Sequence, residues 1–182
     1  MNGLDEAAAV IRGGGVIAYP TEAVFGLGCL PGNEQAIERI LTIKGREATR
    51  GLIIIGGSRE QLAPWMAPLD TTAEATLAAH WPGPVTFVVK ASEQVPLLLN
   101  GGRDTIAVRL SAMPLVAELC ARCNSALVST SANRSGNEAL RSASDVDAVL
   151  GSELDTVLDA PTGGADSPSR VIELATGRLL RA

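Results

Sequence analysis

SALVSTSANRSG, residues 125–136, starts as a strand and ends as something else. Ala126-Leu127-Val128 is apolar chain of the kind a sheet interior takes. Ser129-Thr130-Ser131-Ala132-Asn133 follows directly, and four of these five small residues carry hydrogen-bonding side chains. Gly136 marks a turn. A helix over Pro114–Cys123 precedes this strand, and helix alternating with strand is the pattern of an α/β chain. A strand that leaves its sheet through hydroxyls and an amide is either a polar edge crossing or a floor for an anionic ligand.

The same alternation extends both ways. Leu4, Ala7, Ala8 and Ile11 recur at helical spacing over Gly3–Arg12, and Gly13-Gly14-Gly15 stops that helix before the strand Val16–Tyr19. Asn33 is an N-cap for a helix with Ala36, Ile37, Ile40 and Leu41 on one face, closing near Gly45. Leu52–Ile55, Val85–Lys90 and Thr105–Leu110 read as strands, with 58–66 and 71–80 as helices and Leu99–Gly102 as a loop. Ser144 is expected to cap a short helix carrying Val146, Val149 and Leu150. Residues 170–174 and 179–181 make a β-hairpin around Thr176-Gly177. The expected fold is one α/β domain over residues 1–182, a twisted mixed parallel and antiparallel sheet flanked by helices, with a ligand groove at strand ends.

Composition narrows the function classes. The 182 residues are 46% hydrophobic and only 3% aromatic, so the core must be aliphatic. A net charge of −5 argues against a general nucleic-acid-binding surface, although a local basic patch is compatible with it. No stretch approaches a membrane span, and the acidic start of the chain is no secretory signal. Three cysteines, Cys29, Cys120 and Cys123, give no disulfide framework, so a cytoplasmic protein is expected.

Several chemistries lack their residues. Gly13-Gly14-Gly15 precedes a strand, whereas a phosphate-binding glycine loop must follow one and open a helix. The sole histidine, His80, sits at a helix end, and no serine occupies a GxSxG elbow. Cys120-Ala-Arg-Cys123 has no second pair to complete a zinc site, and its place at a helix end suits packing. No metal ligand set is expected.

Positive charge, by contrast, gathers. Arg39, Lys44, Arg46 and Arg50 lie across one helix end and the loop before the apolar strand at 52–55. Arg109 ends a strand expected to be buried, where a charge must be paired or must serve a ligand. Lysine and arginine suit a polyphosphate, and the polar end of the 126–130 strand can bond phosphate or sugar. Thr21 and Glu22 make another polar strand end. These residues alone imply an enzyme or receptor for a phosphorylated ligand.

Tyr19-Pro20-Thr21-Glu22-Ala23-Val24-Phe25-Gly26-Leu27-Gly28 resembles the PT-x-T-x-[YF]-G-L signature of the YrdC/TsaC family. Lys44-x-Arg46 with Ser131-x-Asn133 resembles its KxR…SxN tetrad. Pro82-Gly83-Pro84-Val85-Thr86, Ala107-Val108-Arg109, the 129–136 block and Ser167–Val171 follow in the family's order. The resemblance implies the short form of the family and synthesis of threonylcarbamoyl-adenylate plus pyrophosphate from L-threonine, bicarbonate or CO2, and ATP with Mg²⁺. Such an enzyme is a nucleotidyltransferase that supplies tRNA modification next to the anticodon. Its partners are the proteins that transfer the threonylcarbamoyl group, with tRNA itself as a candidate.

The resemblance also assigns roles. Lys44 and Arg46 are the catalytic pair, and with Arg50 they hold the triphosphate. Ser131 and Asn133 complete the ATP pocket, joined by Arg141 and Arg181. Arg109 holds the threonine carboxylate, helped by Ser169, Ser131 and Thr21. Ala23, Phe25 and Ile55 depart from the family pattern, so the contacts to the threonine side chain do not carry over. The competing expectation is a non-catalytic RNA-binding module with a basic concave groove, which the acidic net charge and scarce aromatics disfavour.

Overall fold

The computed structural model describes residues 3–182. Its centre is a mixed sheet. β1 (Ile17–Pro20) and β2 (Phe25–Gly28) form an antiparallel pair, and β6 (Leu127–Ser131) joins the outer edge of β2. β3 (Ile53–Gly56) runs antiparallel to β6 and parallel to β5 (Thr105–Leu110). β4 (Val85–Lys90) then pairs with β5, and β8 (Arg170–Glu173) and β9 (Leu179–Arg181) close that side. The two-residue β7 (Thr156–Val157) lies beyond β1, so the order among the described residues is β7-β1-β2-β6-β3-β5-β4-β8-β9.

Period-two alternation divides the core. Ile17, Tyr19, Ile55 and Leu127 point to one face, where α1 (Gly3–Arg12) and α6 (Pro114–Cys123) pack. Val16, Ala18, Ile54 and Val128 point to the other, toward α2 (Glu34–Lys44) and α7 (Ala143–Leu150). Sheet strands buried on both faces read as continuous apolar runs, which is how 52–55 and 126–128 read in the sequence.

Capping sets the helix that matters most for function. The Asn33 side chain accepts from the Ala36 amide, and Gly45 adopts the left-handed conformation (φ 57°) that ends α2. That turn sends Arg46 away from the helix axis. Gly51 (φ 64°) makes the second turn, after a single 3₁₀ turn at Ala48–Arg50.

Some local expectations need correction. Residues 58–66 split into a one-turn α3 (Arg59–Leu62) and a 3₁₀ turn at Ala63–Trp65, with Pro64 ending the regular helix. α4 (Thr71–Ala78) starts at its Asp70 cap. The loop at 99–102 is partly helical, because Leu97–Asn100 forms one turn, α5, behind Pro96. The cap of α7 is Ser142 and not Ser144, since its hydroxyl accepts from the Asp145 amide, and Val149 faces outward. β2 and β7 add to the strands that the sequence pattern marks.

Candidate active site

The polar end of β6 lies where burial runs out. Ala126–Val128 are buried, Ser129–Ser131 are half-buried, and the loop beyond turns back toward α2. Lys44 holds it there. Its Nζ donates to the Ser131 carbonyl at 2.5 Å and to the carbonyl and Oδ1 of Asn133, both at 3.0 Å. The Ser131 hydroxyl also donates to Asn133 Oδ1 at 2.6 Å, and Arg134 reaches back to the Ile43 carbonyl at 2.8 Å. The last carbonyls of α2 and the loop thus satisfy each other.

Lys44 thus faces the loop and not the open cleft. It is 2% exposed, and its three N–H donors are all engaged by the loop. Burial, and then the Arg46 charge, pull its ammonium down to about 8.

In front of that loop opens a cleft of about 360 Å³. Thr21, Arg46, Arg109, Ser131, Asn133, Ser169 and Arg181 all line it. A second concavity of about 600 Å³ continues past Arg46 and Arg181 and adds Arg50, Arg103 and Arg178. Arg46 donates to the Gly51 carbonyl at 3.0 Å, which aims its guanidinium along the rim. Burial and the charges of Arg50 and Arg181 push the Arg46 pKa down, and burial and Arg109 do the same to Arg181. Like charges held this close favour an anion between them.

The other side of the cleft has different chemistry. Arg109, 8% exposed, donates from Nε to the Gly83 carbonyl at 3.2 Å, which is what the Pro82-Gly83-Pro84 turn provides. Its Nη2 lies 2.5 Å from Glu22 Oε1. The same Oε1 accepts from Ser111 Oγ at 2.7 Å and from the Ala112 amide at 3.3 Å. Glu22 Oε2 is enclosed and has no partner. Ser169 shares a hydrogen bond with Thr86 at 2.7 Å, and its carbonyl accepts from Arg181 at 2.7 Å.

Two expected residues stand differently from their sequence reading. The Thr21 hydroxyl donates to the Val24 carbonyl at 2.7 Å, so it faces the cleft as an acceptor. Arg141 does not line the cleft: it donates to the carbonyls of Ala23, Ala165 and Asp166 and fastens the 158–169 loop over it. Arg39 points elsewhere, pairing with Asp155 at 2.5 Å. His80 also lies outside, with Nδ1 2.8 Å from the Thr76 carbonyl and its ring edge-on to Phe87. Cys29, Cys120 and Cys123 are buried and unpaired, and burial pushes all three thiols up, to about 12, 12 and 11.

Of the residues around the cleft, Glu22 is legible in the sequence only as part of a polar strand end, and Arg103 and Arg178 are not marked out there. The buried Arg109 already required an acid nearby, and Glu22 occupies a polar strand end; nothing in the sequence said that the two meet.

The sequence model of the Sua5/YciO/YrdC family, described as telomere recombination, matches residues 9–182. A threonylcarbamoyl-AMP synthase of Nitrosococcus oceani is 49% identical over 175 residues, 96% of this chain and 95% of the relative. Another, from Halorhodospira halophila, is 46% identical over 96% of this chain and 92% of its own length. Among solved structures, P. abyssi Sua5 complexed with L-threonine superposes with a TM-score of 0.92 at 36% identity. It covers 98% of this chain, which spans 53% of that one. E. coli YciO superposes at 0.86 with 26% identity, covering 98% of this chain and 87% of its own.

Proposed function

The chain belongs to the Sua5/YciO/YrdC family, and we propose that it is a threonylcarbamoyl-AMP synthase. The observation that carries this reading is one cleft with two chemistries: an arginine-rich rim at Arg46, Arg50 and Arg181, continuous with a pocket around Arg109. The rim suits a triphosphate and the pocket an amino acid. Full-length relatives of that name, and a structure of the same fold titled as complexed with L-threonine, support it. They also favour it over a non-catalytic RNA-binding module.

In this reading L-threonine's amine adds to CO2, losing a proton and giving a carbamate. A carbamate oxygen attacks the α-phosphorus of ATP, the bond to the β-phosphate oxygen breaks, and pyrophosphate leaves. Such nucleotidyl transfer rests on positioning and charge stabilisation more than on acid–base chemistry. Arg46, Arg50 and Arg181 take the phosphates, and Ser131 and Asn133 form the nucleotide floor. Lys44 acts one layer back: it fixes that floor and adds its charge through space. Arg109 grips the threonine carboxylate as a fork, with Ser169 and Thr21 beside it. Arg141 acts on the cover of the cleft and touches no nucleotide.

Magnesium enters as part of MgATP. Among the described residues no group of three His, Cys, Asp or Glu side chains could hold an ion of its own. The reaction class is nucleotidyl transfer, carried out by one domain over residues 1–182. We place it in the cytoplasm, where the adenylate passes to the proteins that modify tRNA; no described helix is long and apolar enough to cross a membrane.

The test is pyrophosphate release, measured with L-threonine, bicarbonate or MgATP omitted in turn. The expected result is release that requires all three. Release indifferent to threonine, from well-folded protein, would overturn the assignment.

A further inference from the structure

Arg109 faces two carboxylates if it grips a substrate acid, because Glu22 already sits on its guanidinium. That arrangement has a chemical consequence, which rests on the threonine reading of the pocket. Arginine has five N–H donors. Arg109 uses Nε on the Gly83 carbonyl and holds Nη2 in ion-pair contact with Glu22 Oε1, which leaves its other N–H groups for a ligand. The pair it forms with Glu22 carries no net charge, so a simple carboxylate gains little attraction from it. An α-amino acid does gain, because its ammonium is one carbon from the carboxyl group and meets the second member of the pair.

Three observations single out Glu22 for the ammonium. Among the described residues it is the one acidic side chain lining the cleft. It is held there by Ser111 and the Ala112 amide, which both donate to Oε1. Its Oε2 is enclosed without a hydrogen-bond donor, an arrangement that costs free energy until a donor arrives. A charged N–H group is the donor that best answers it. We propose that Glu22 is a specificity-determining residue: it receives the substrate ammonium and restricts the pocket to zwitterionic amino acids.

The probe is (R)-3-hydroxybutyrate, which is L-threonine without its amino group. Binding of both ligands is measured by calorimetry on the wild-type chain and on Glu22→Gln, which keeps the side-chain shape. The wild type is expected to bind L-threonine at least tenfold more tightly than the hydroxy acid. Glu22→Gln is expected to weaken L-threonine tenfold or more while hydroxybutyrate holds steady or tightens. Equal shifts for both ligands would mean that Glu22 merely orients Arg109, and would overturn the inference. So would a wild type that binds both alike, a result that needs no variant to fold. Glu22→Asp, which keeps the charge, is the second variant and is expected to retain the preference; its loss there with a cooperative melt would count against the proposal. Binding of neither ligand by the wild type would overturn the threonine reading itself.

Discussion

Behind the cleft, Lys44 donates to three acceptors of a single loop; across it, Arg109 donates to Gly83, pairs with Glu22 and keeps N–H groups over. Both are buried cations. The lysine is saturated by backbone and amide oxygens, and its removal leaves the Asn133 carbonyl without a donor. The arginine sits on a pair whose acid has an idle oxygen. A buried charge with every donor matched is part of the frame, and one with donors to spare is placed for a ligand. The contrast runs opposite to what proximity to Gly45 and the KxR spacing suggest, where the lysine looks like the working group.

The largest effect that would break this contrast is on stability. Lys44→Met should cost about 2–3 kcal/mol in denaturant unfolding, because the Asn133 carbonyl loses its donor and the Ser131 carbonyl and Asn133 Oδ1 each lose one of two. A variant as stable as the wild type would return Lys44 to the phosphate-binding residues. Next in size, Arg109→Lys should weaken L-threonine by about 2 kcal/mol, some thirtyfold, since an ammonium cannot reproduce a fork. Its unfolding midpoint should move less than that of Lys44→Met, and titration against threonine and ATP separately should confine the loss to threonine.

A smaller effect follows from pH. Lys44 is charged below about 8 and neutral above it. Binding of MgATP should therefore weaken by about 1 kcal/mol as pH rises through 8, the scale of one charge removed a few ångströms behind the phosphates. Stability should move the other way. The folded-state value lies below the 10.5 of free lysine, so the unfolded chain binds the extra proton between the two, and this residue's contribution rises over that window. Parallel titrations of binding and unfolding that moved together would blur the distinction between frame and ligand site. The smallest change is Arg141→Lys, which should loosen the 158–169 loop by about 1 kcal/mol, visible as faster amide exchange at Gly163 and Ala165.

How far the sequence reaches can be judged residue by residue. Asn33 and Gly45 mark both ends of α2, because capping is local chemistry. The terminal hairpin and the 126–131 strand are equally legible. β2 is not: Phe-Gly-Leu-Gly has neither β-branched residues nor a polar face, and its glycines answer a tertiary need. A Cβ on Gly28 would lie 2.5 Å from the Tyr19 ring. Charge identifies Arg46, Arg50 and Arg109 as candidates and the family resemblance adds Arg181, but neither tells a donor aimed at a cavity from one aimed at a carbonyl. Lys44 and Arg141 turned on that difference. The partnership of Glu22 with Arg109 joins two strand ends far apart in sequence, and only the sheet order brings them within reach.

The cleft also has a history within each folding event. Thr21 comes from the end of β1 and Arg181 from β9, with Arg109 and Ser131 from strands between them. No contiguous stretch of chain contains a working half of it. Contacts between such distant segments form late, after the loops that join them have closed. Helical signal should therefore return before ligand binding when the unfolded protein is diluted from denaturant, and the last thing the molecule regains should be its capacity to bind.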